Sequence, residues 1–272
     1  MIFLLITAAM FAGCGTMKPA AEPSGEFGPP PADWRGAKVA VLGDSITDPG
    51  QVKCNRVYWQ YLSAWLGWEA KIYGISGHRW DHIPGQIDRA VKEMGDDVDA
   101  FFIFVGTNDY AQGVPLGEWY EEKEGEVNWW GKMRKLKHRT LSMNPGTVRG
   151  RLNLALEKLR RRYPDAQVVI MTPTKRAAFR CSETNVQADD DWTNTIGLHL
   201  EDYVKVVREG AEIWGCPVID LYAEAPLLPR LDEFAKVYRN AQTDRLHPNS
   251  EGHRRLASVI YRRLRAIPAT FR

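Results

Sequence analysis

The chain has 272 residues, 44% of them hydrophobic and 26% charged, which is long enough for one α/β domain with a buried core and too apolar for a disordered chain. Lys plus Arg number 36 against 34 Asp plus Glu, a formal charge of +2, which gives no ground for a nucleic-acid partner. No apolar run reaches the roughly 18 residues that span a bilayer, and no paired Cys/His spacing suggests a metal ion or any other cofactor.

In chain order, Met1 to Met10 is an apolar stretch of the kind that begins an export signal. Phe11-Ala12-Gly13-Cys14 then resembles the lipobox of bacterial lipoproteins, with Cys14 as the lipidated residue, although Phe11 replaces an aliphatic residue and no Lys or Arg precedes the stretch. The reading is an exported, membrane-anchored lipoprotein, periplasmic or on the cell surface. Residues 15–35, rich in Pro, Gly, Ala and Ser, read as a flexible tether, and the domain is expected over 36–272. Cys54 and Cys181 fall in loops expected near one sheet edge, so a bridge is conceivable and free buried thiols are equally so. Cys216 introduces an apolar strand.

From Lys38 onward, short apolar runs alternate with segments of helical periodicity. Val39–Leu42, Ala70–Tyr73, Ala100–Val105, Gln167–Met171 and Pro217–Asp220 read as five strands. Between and after them, helices are expected after Asn55 (Val57, Tyr61, Leu62, Trp65, Leu66), over Gln86–Met94, from Thr147, around Tyr203–Trp214, and along Leu256, Val259, Ile260 and Leu264. Such alternation predicts a five-stranded parallel sheet covered on both faces, a three-layer αβα sandwich that binds ligands beyond the carboxyl ends of its strands. Residues 114–146 form an insertion that reads as a lid, a substrate wall or a dimer arm. Its basic residues Lys132, Arg134, Lys135, Lys137, His138 and Arg139 face the acidic Glu118, Glu121, Glu122, Glu124 and Glu126 and read as a solvated, internally paired loop.

Chemistry-bearing residues follow three of the strands. Ser45 in Gly43-Asp44-Ser45 stands where a reactive hydroxyl or a capping turn is equally at home. Gly74-Ile75-Ser76-Gly77 and Gly106-Thr107-Asn108-Asp109 are the other two turns. Near the C-terminus, Asp244-Arg245-Leu246-His247 places a carboxylate and an imidazole three residues apart. In a turn or first helical turn, that offset can fix the imidazole tautomer so that the far ring nitrogen takes a proton from a hydroxyl. A surface pair capping the last helix is the plain alternative.

Taken in order, Gly43-Asp44-Ser45, Gly77, Gly106-Thr107-Asn108-Asp109 and Asp244–His247 resemble the four blocks of the SGNH (GDSL-type) hydrolases, over nearly everything from Lys38 to the C-terminus. Through Val114–Tyr120 the chain is also similar to lipoprotein members of Bacteroidetes type. The resemblance implies a flavodoxin-like fold and a serine esterase without cofactor. Ser45 is then the nucleophile, His247 the base and acid, and Asp244 its orienting carboxylate. The oxyanion hole would comprise the N–H groups of Ser45 and Gly77 and the Asn108 amide, with Asp44 and Asp109 supporting. Two blocks depart from the family pattern. No Asn precedes Gly77 within Ile72-Tyr73-Gly74-Ile75, which leaves Gly74 as an alternative, and Thr107 stands where Gly is common. With 10 Trp in the chain, loop aromatics such as Trp80, Trp119 and Trp192, together with His78, are candidates for stacking against sugar rings. The expected reaction is removal of O-acetyl groups from carbohydrate. A lipase or lysophospholipase activity and a non-catalytic glycan binder are the competing readings.

Overall fold

Three neighbouring strands, apolar and buried over nearly their whole length, need a protein layer on each side, and that requirement sets the architecture. The computed structural model describes residues 34–50 and 54–271. Cys14, the export signal and all but the end of the tether lie outside the described residues. In chain order the elements are β1 (Lys38–Gly43), α1 (Tyr58–Leu66), β2 (Glu69–Ile72), α2 (Ile83–Met94), β3 (Ala100–Phe104), α3 (Thr107–Ala111), β4 (Tyr120–Trp129) and β5 (Lys132–Leu141). There follow α4 (Val148–Arg162), β6 (Gln167–Met171), β7 (Phe179–Arg180), β8 (Val186–Gln187), α5 (Leu200–Ile213), β9 (Val218–Ile219), α6 (Leu221–Glu224), β10 (Tyr238–Asn240), β11 (Asp244–Pro248) and α7 (Ser250–Leu264).

The main sheet is parallel throughout, in the order β2-β1-β3-β6-β9. Side chains alternate across it with period two. Ala40, Leu42, Phe101, Ile103, Val168 and Ile170 enter the core under α2, α4 and α5. Val39, Val41, Phe102, Phe104, Val169 and Met171 enter the opposite core under α1 and α7. Truncating one such ring, Phe102→Ala for instance, costs about 3–5 kcal/mol. The second core also takes in Trp34, fully buried against Trp68, Phe102 and Phe271 at 5.0–5.7 Å between rings. The packed body therefore includes a residue that composition alone placed in the tether.

Helix starts follow local chemistry. The Thr147 hydroxyl accepts from the Gly150 N–H at the head of α4, and Asn249 accepts from Glu251 and Gly252 at the head of α7. Asn55 does not cap α1. The Gln60 amide oxygen accepts from the Val57 N–H instead, at 3.0 Å.

Three features go beyond the expected sandwich. A small sheet in the order β10-β11-β7-β8 stands beside the main one. The 114–146 insertion is a regular antiparallel ribbon of two ten-residue strands, β4 and β5, rather than a loop. Cys54, Cys181 and Cys216 are all free thiols, and only Cys216 is buried, its sulfur accepting from Arg160 at 3.3 Å. Among the described residues, no helix is long and apolar enough to cross a membrane, and no cluster of His, Cys, Asp and Glu could hold a metal ion.

Candidate active site

Strand order reverses between β1 and β3, and at this switch point the loops leaving neighbouring strands splay apart to form a crevice. Ser45 sits just past β1. The Asp44 carbonyl accepts from the N–H groups of Thr47 and Asp48, and its carboxylate accepts from the Ile46 N–H at 3.0 Å. A single hydrogen-bonded turn thus holds Ser45 at the strand end. Behind it, the Gln86 amide grips Gly43 from both sides, accepting from its N–H at 2.9 Å and donating to its carbonyl at 2.8 Å.

The Ser45 hydroxyl lies 2.9 Å from His247 Nε2. On the other side of the ring, Nδ1 is 2.9 and 3.0 Å from the two Asp244 carboxylate oxygens. Asp244 and His247 belong to β11, not to a helical turn. The carboxylate curls back to accept from the N–H groups of Leu246 and His247 at 3.3 and 2.9 Å. Burial pushes the Asp244 carboxyl up, but its bonds from His247 and the nearby Arg239 guanidinium, 3.6 Å away, prevail and hold it below the usual carboxylate range. The Phe179 ring meets His247 edge-on at 5.1 Å and limits its movement.

Gly77 and Asn108 both line the same cavity as Ser45. The Asn108 amide donates to the His78 carbonyl at 2.9 Å. Its second N–H, together with the backbone N–H groups of Ser45 and Gly77, has no hydrogen-bond partner among the described residues. Gly77 has φ +79°, a backbone that only glycine adopts without strain. Gly74 serves packing instead, because a Cβ there would lie 2.7 Å from the Thr47 side chain. Gly77 is therefore the glycine at the site.

Asp44 and Asp109 are buried supports. Asp109 accepts from the Trp80 N–H at 3.1 Å and from Arg151 at 3.2 Å. Burial pushes Asp44 up to about 7 and Asp109 up to about 6. The four side chains expected to contact sugar are not in the cavity lining. Trp80 is fully buried. Trp119 donates from its indole to Glu209 at 2.8 Å and packs against the core. Trp192 is exposed away from the cavity. His78 stacks on His82 at 4.2 Å while its Nδ1 accepts from Gln86 at 2.9 Å. No residue of the 114–146 insertion lines the cavity either.

The cavity, about 760 Å³, is walled instead by residues that periodicity could not reveal: Phe179, Arg180, Gln187, Arg239 and Asn240 on the small sheet and Asn185 in the turn between β7 and β8. Behind this wall Arg176 is fully buried. It donates to the Thr107 hydroxyl at 3.1 Å and to the Gln187 side chain, while its N–H bonds Asp190. In sequence, a buried Arg or Gln looks like a solvated one, which is why Arg176 and Gln86 gave no signal.

Comparison with known proteins agrees with this architecture. The family model for the GDSL-like lipase/acylhydrolases matches residues 41–255. No curated protein matches the sequence. One solved structure, 27% identical over 86% of this chain and 99% of its own, superposes with a TM-score of 0.68. A possible lipase from Chitinophaga pinensis is similar at 21% identity over 85% and 98%, with a TM-score of 0.64. A catalytic mutant of an acetylxylan esterase from Geobacillus stearothermophilus shares the fold at 18% identity over 84% and 94%, with a TM-score of 0.52. By the extent of the family match and the order of its blocks, the chain belongs to the GDSL-like lipase/acylhydrolase family of the SGNH superfamily and is an ester hydrolase.

Proposed function

We propose that this ester hydrolase works through a Ser45–His247–Asp244 triad and removes short acyl groups, acetyl above all, from a carbohydrate. The observation that carries the mechanism is the unbroken chain of hydrogen bonds from the Ser45 hydroxyl through His247 to Asp244. Ser45 Oγ–H donates to His247 Nε2, which takes the proton as Oγ attacks the ester carbonyl. Asp244 accepts the Nδ1–H, holding the tautomer that leaves Nε2 free and stabilising the imidazolium that forms. The tetrahedral oxyanion accepts from the N–H groups of Ser45 and Gly77 and from Asn108, whose bond to the His78 carbonyl pre-sets its orientation. His247 then protonates the departing alkoxide, leaving an acyl-enzyme on Ser45. Water, deprotonated by the same imidazole, attacks the acyl carbon and releases the acid.

The substrate reading rests on the wall. Asn185, Gln187, Asn240, Gln112, Arg180 and Arg239 supply donors and acceptors suited to sugar hydroxyls, whereas Phe179, Val186 and Leu246 supply only a short apolar strip. Aromatic platforms do not support it, since the expected Trp residues lie elsewhere. The acetylxylan esterase of similar fold is consistent with an acylated polysaccharide. A long-chain acyl hydrolase would want a broad apolar groove, and a non-catalytic binder has no use for the hydrogen-bonded triad. The test is turnover of p-nitrophenyl acetate, p-nitrophenyl octanoate and acetylated xylan: acetate release from the polymer supports the reading, and preference for octanoate overturns it. We also infer export and anchoring through lipid on Cys14, from Phe11-Ala12-Gly13-Cys14. Fatty-acid labelling lost in Cys14→Ala would support it, and labelling unchanged would exclude it.

A further inference from the structure

The β4–β5 ribbon projects from the domain with every residue from 121 to 140 exposed. Ten residues per strand at about 3.4 Å each give an arm of about 30 Å. An isolated two-stranded ribbon is marginal in water, and this one places its largest apolar groups at the far end. Trp130 is 88% exposed, Trp129 54% and Met133 64%. The two-residue turn is Trp130-Gly131, with φ +59° and +74°, a geometry that favours Asn-Gly. A Trp at its first position incurs both exposure and backbone strain, which neither folding nor solubility explains.

The register sorts the charges. Directly paired residues share a face, so one face carries Glu121 at its base and then Lys123, Val127, Trp129, Lys132, Arg134, Leu136 and His138, while Met133, paired with Asn128, lies on the other. The carboxylates Glu122, Glu124 and Glu126 all lie on the other face, opposite Arg139, Lys137 and Lys135. There Lys135 pairs with Glu124 at 2.6 Å and Lys137 with Glu122 at 3.7 Å. Lys123, Lys132 and Arg134 have no ion pair among the described residues. The result is an aromatic tip, a cationic collar directly behind it, and a self-neutralised zipper on the far side.

From this arrangement we propose that the ribbon tip docks on an anionic lipid surface, Trp129, Trp130 and Met133 entering the interface and Lys132 and Arg134 meeting headgroup phosphates. The collar lies one to three residues behind the turn, about 3–10 Å, which matches the depth to which interfacial apolar groups sink. Indole rings prefer that depth. A second copy fits poorly. Joining two cationic faces, two β5 edges or two β4 edges opposes like charges, and joining β4 to β5 gives a contact that does not close. An extended acidic polysaccharide would lie along a face or groove, whereas here the apolar groups crown the end. The inference does not depend on lipid at Cys14.

The test uses the full chain with phosphatidylcholine vesicles, with and without phosphatidylglycerol. The first 33 residues carry Lys18 against Glu22, Glu26 and Asp33, so preference for anionic vesicles reads another part of the molecule. Expected are partition about tenfold stronger to anionic vesicles, a comparable loss in Trp129→Ser/Trp130→Asn, and loss of lipid preference in Lys132→Glu/Arg134→Glu. Hydrolysis of a soluble ester should be unchanged in both variants. Because Trp130→Asn installs the residue this turn favours, the ribbon should survive it. Equal partition by wild type and variants overturns the proposal. So does tighter, tip-dependent binding to polygalacturonate, or a tip-dependent dimer in sedimentation velocity.

Discussion

Two regions meet at Ser45, and they are held by different forces. The loops carrying Ser45, Gly77 and Asn108 leave a parallel sheet whose strands are buried on both faces. Their positions follow from hydrophobic packing over the whole domain. The facing wall is four short strands, two of them only two residues long, and it supplies both Asp244–His247 and most of the cavity lining. Side-chain bonds hold it: Asp244 to its own backbone, and Arg176 spanning from Thr107 on the sheet side to Gln187 on the wall. The sheet side therefore tolerates the loss of single polar contacts, while the wall depends on them. The proposed mechanism requires the two to stay in register across 2.9 Å.

Substitutions separate the two halves. Ser45→Ala should lower kcat by about 10⁴- to 10⁶-fold with the fold intact, read by ester turnover and circular dichroism. On the wall, Asp244→Asn should cost about 10⁴-fold, because an amide can hold the opposite imidazole tautomer. A loss of only a few-fold would mean that an acceptor other than Asp244 orients His247. On the sheet side, Asn108→Ala should cost about 10²- to 10³-fold in kcat with little change in KM.

The link between the halves gives a smaller but more diagnostic effect. Arg176→Met removes the bonds to Thr107 and Gln187, so unfolding stability should fall by about 2–3 kcal/mol, and kcat should drop while Ser45 remains able to react with a small phosphonyl probe. Stability unchanged in urea unfolding would mean that the wall stands alone.

Asp44 supplies the smallest effect, through pH. Its carboxyl is pushed up to about 7 by burial, against about 3.9 in an unfolded chain. Between these values the native state binds more protons than the unfolded state. This contribution is full below about pH 4 and is lost as pH rises through about 7. Asp109, pushed up to about 6 by burial, acts in the same sense. Asp44→Asn should flatten the fall in stability between pH 5 and about 7.5, measured by urea unfolding at each pH. Asp244 works in the opposite sense: its lowered carboxyl contributes above the unfolded value and the contribution is lost on acidification.

The same contrast explains what the sequence disclosed. The five parallel strands were legible because Phe101-Phe102-Ile103 and Val168-Val169-Ile170 are apolar without interruption, and only two-sided burial accounts for that. Ser45 and Asn108 were legible because their blocks follow such strands, and Asp244 and His247 because a carboxylate and an imidazole stand three residues apart. The wall was not: strands of two residues at Phe179 and Val186 leave no periodicity, and β11 is set by a carboxylate folding onto its own backbone rather than by an apolar pattern. The loop aromatics misled for a related reason. Trp80 and Trp119 sit among polar neighbours in sequence, yet Trp80 is fully buried in the core and Trp119 packs against it. The ribbon hid because its strands carry charges on both faces, with apolar residues scattered among them, and only their pairing sorts the charge.

The most direct measurement is mass spectrometry of the intact protein and its peptides after reaction with an activated phosphonate ester. The account predicts one adduct, on the peptide containing Ser45, with formation slowed in His247→Ala and absent in Ser45→Ala. Stoichiometric labelling of a different residue, or full ester turnover by a protein whose Ser45 stays unmodified, would contradict it.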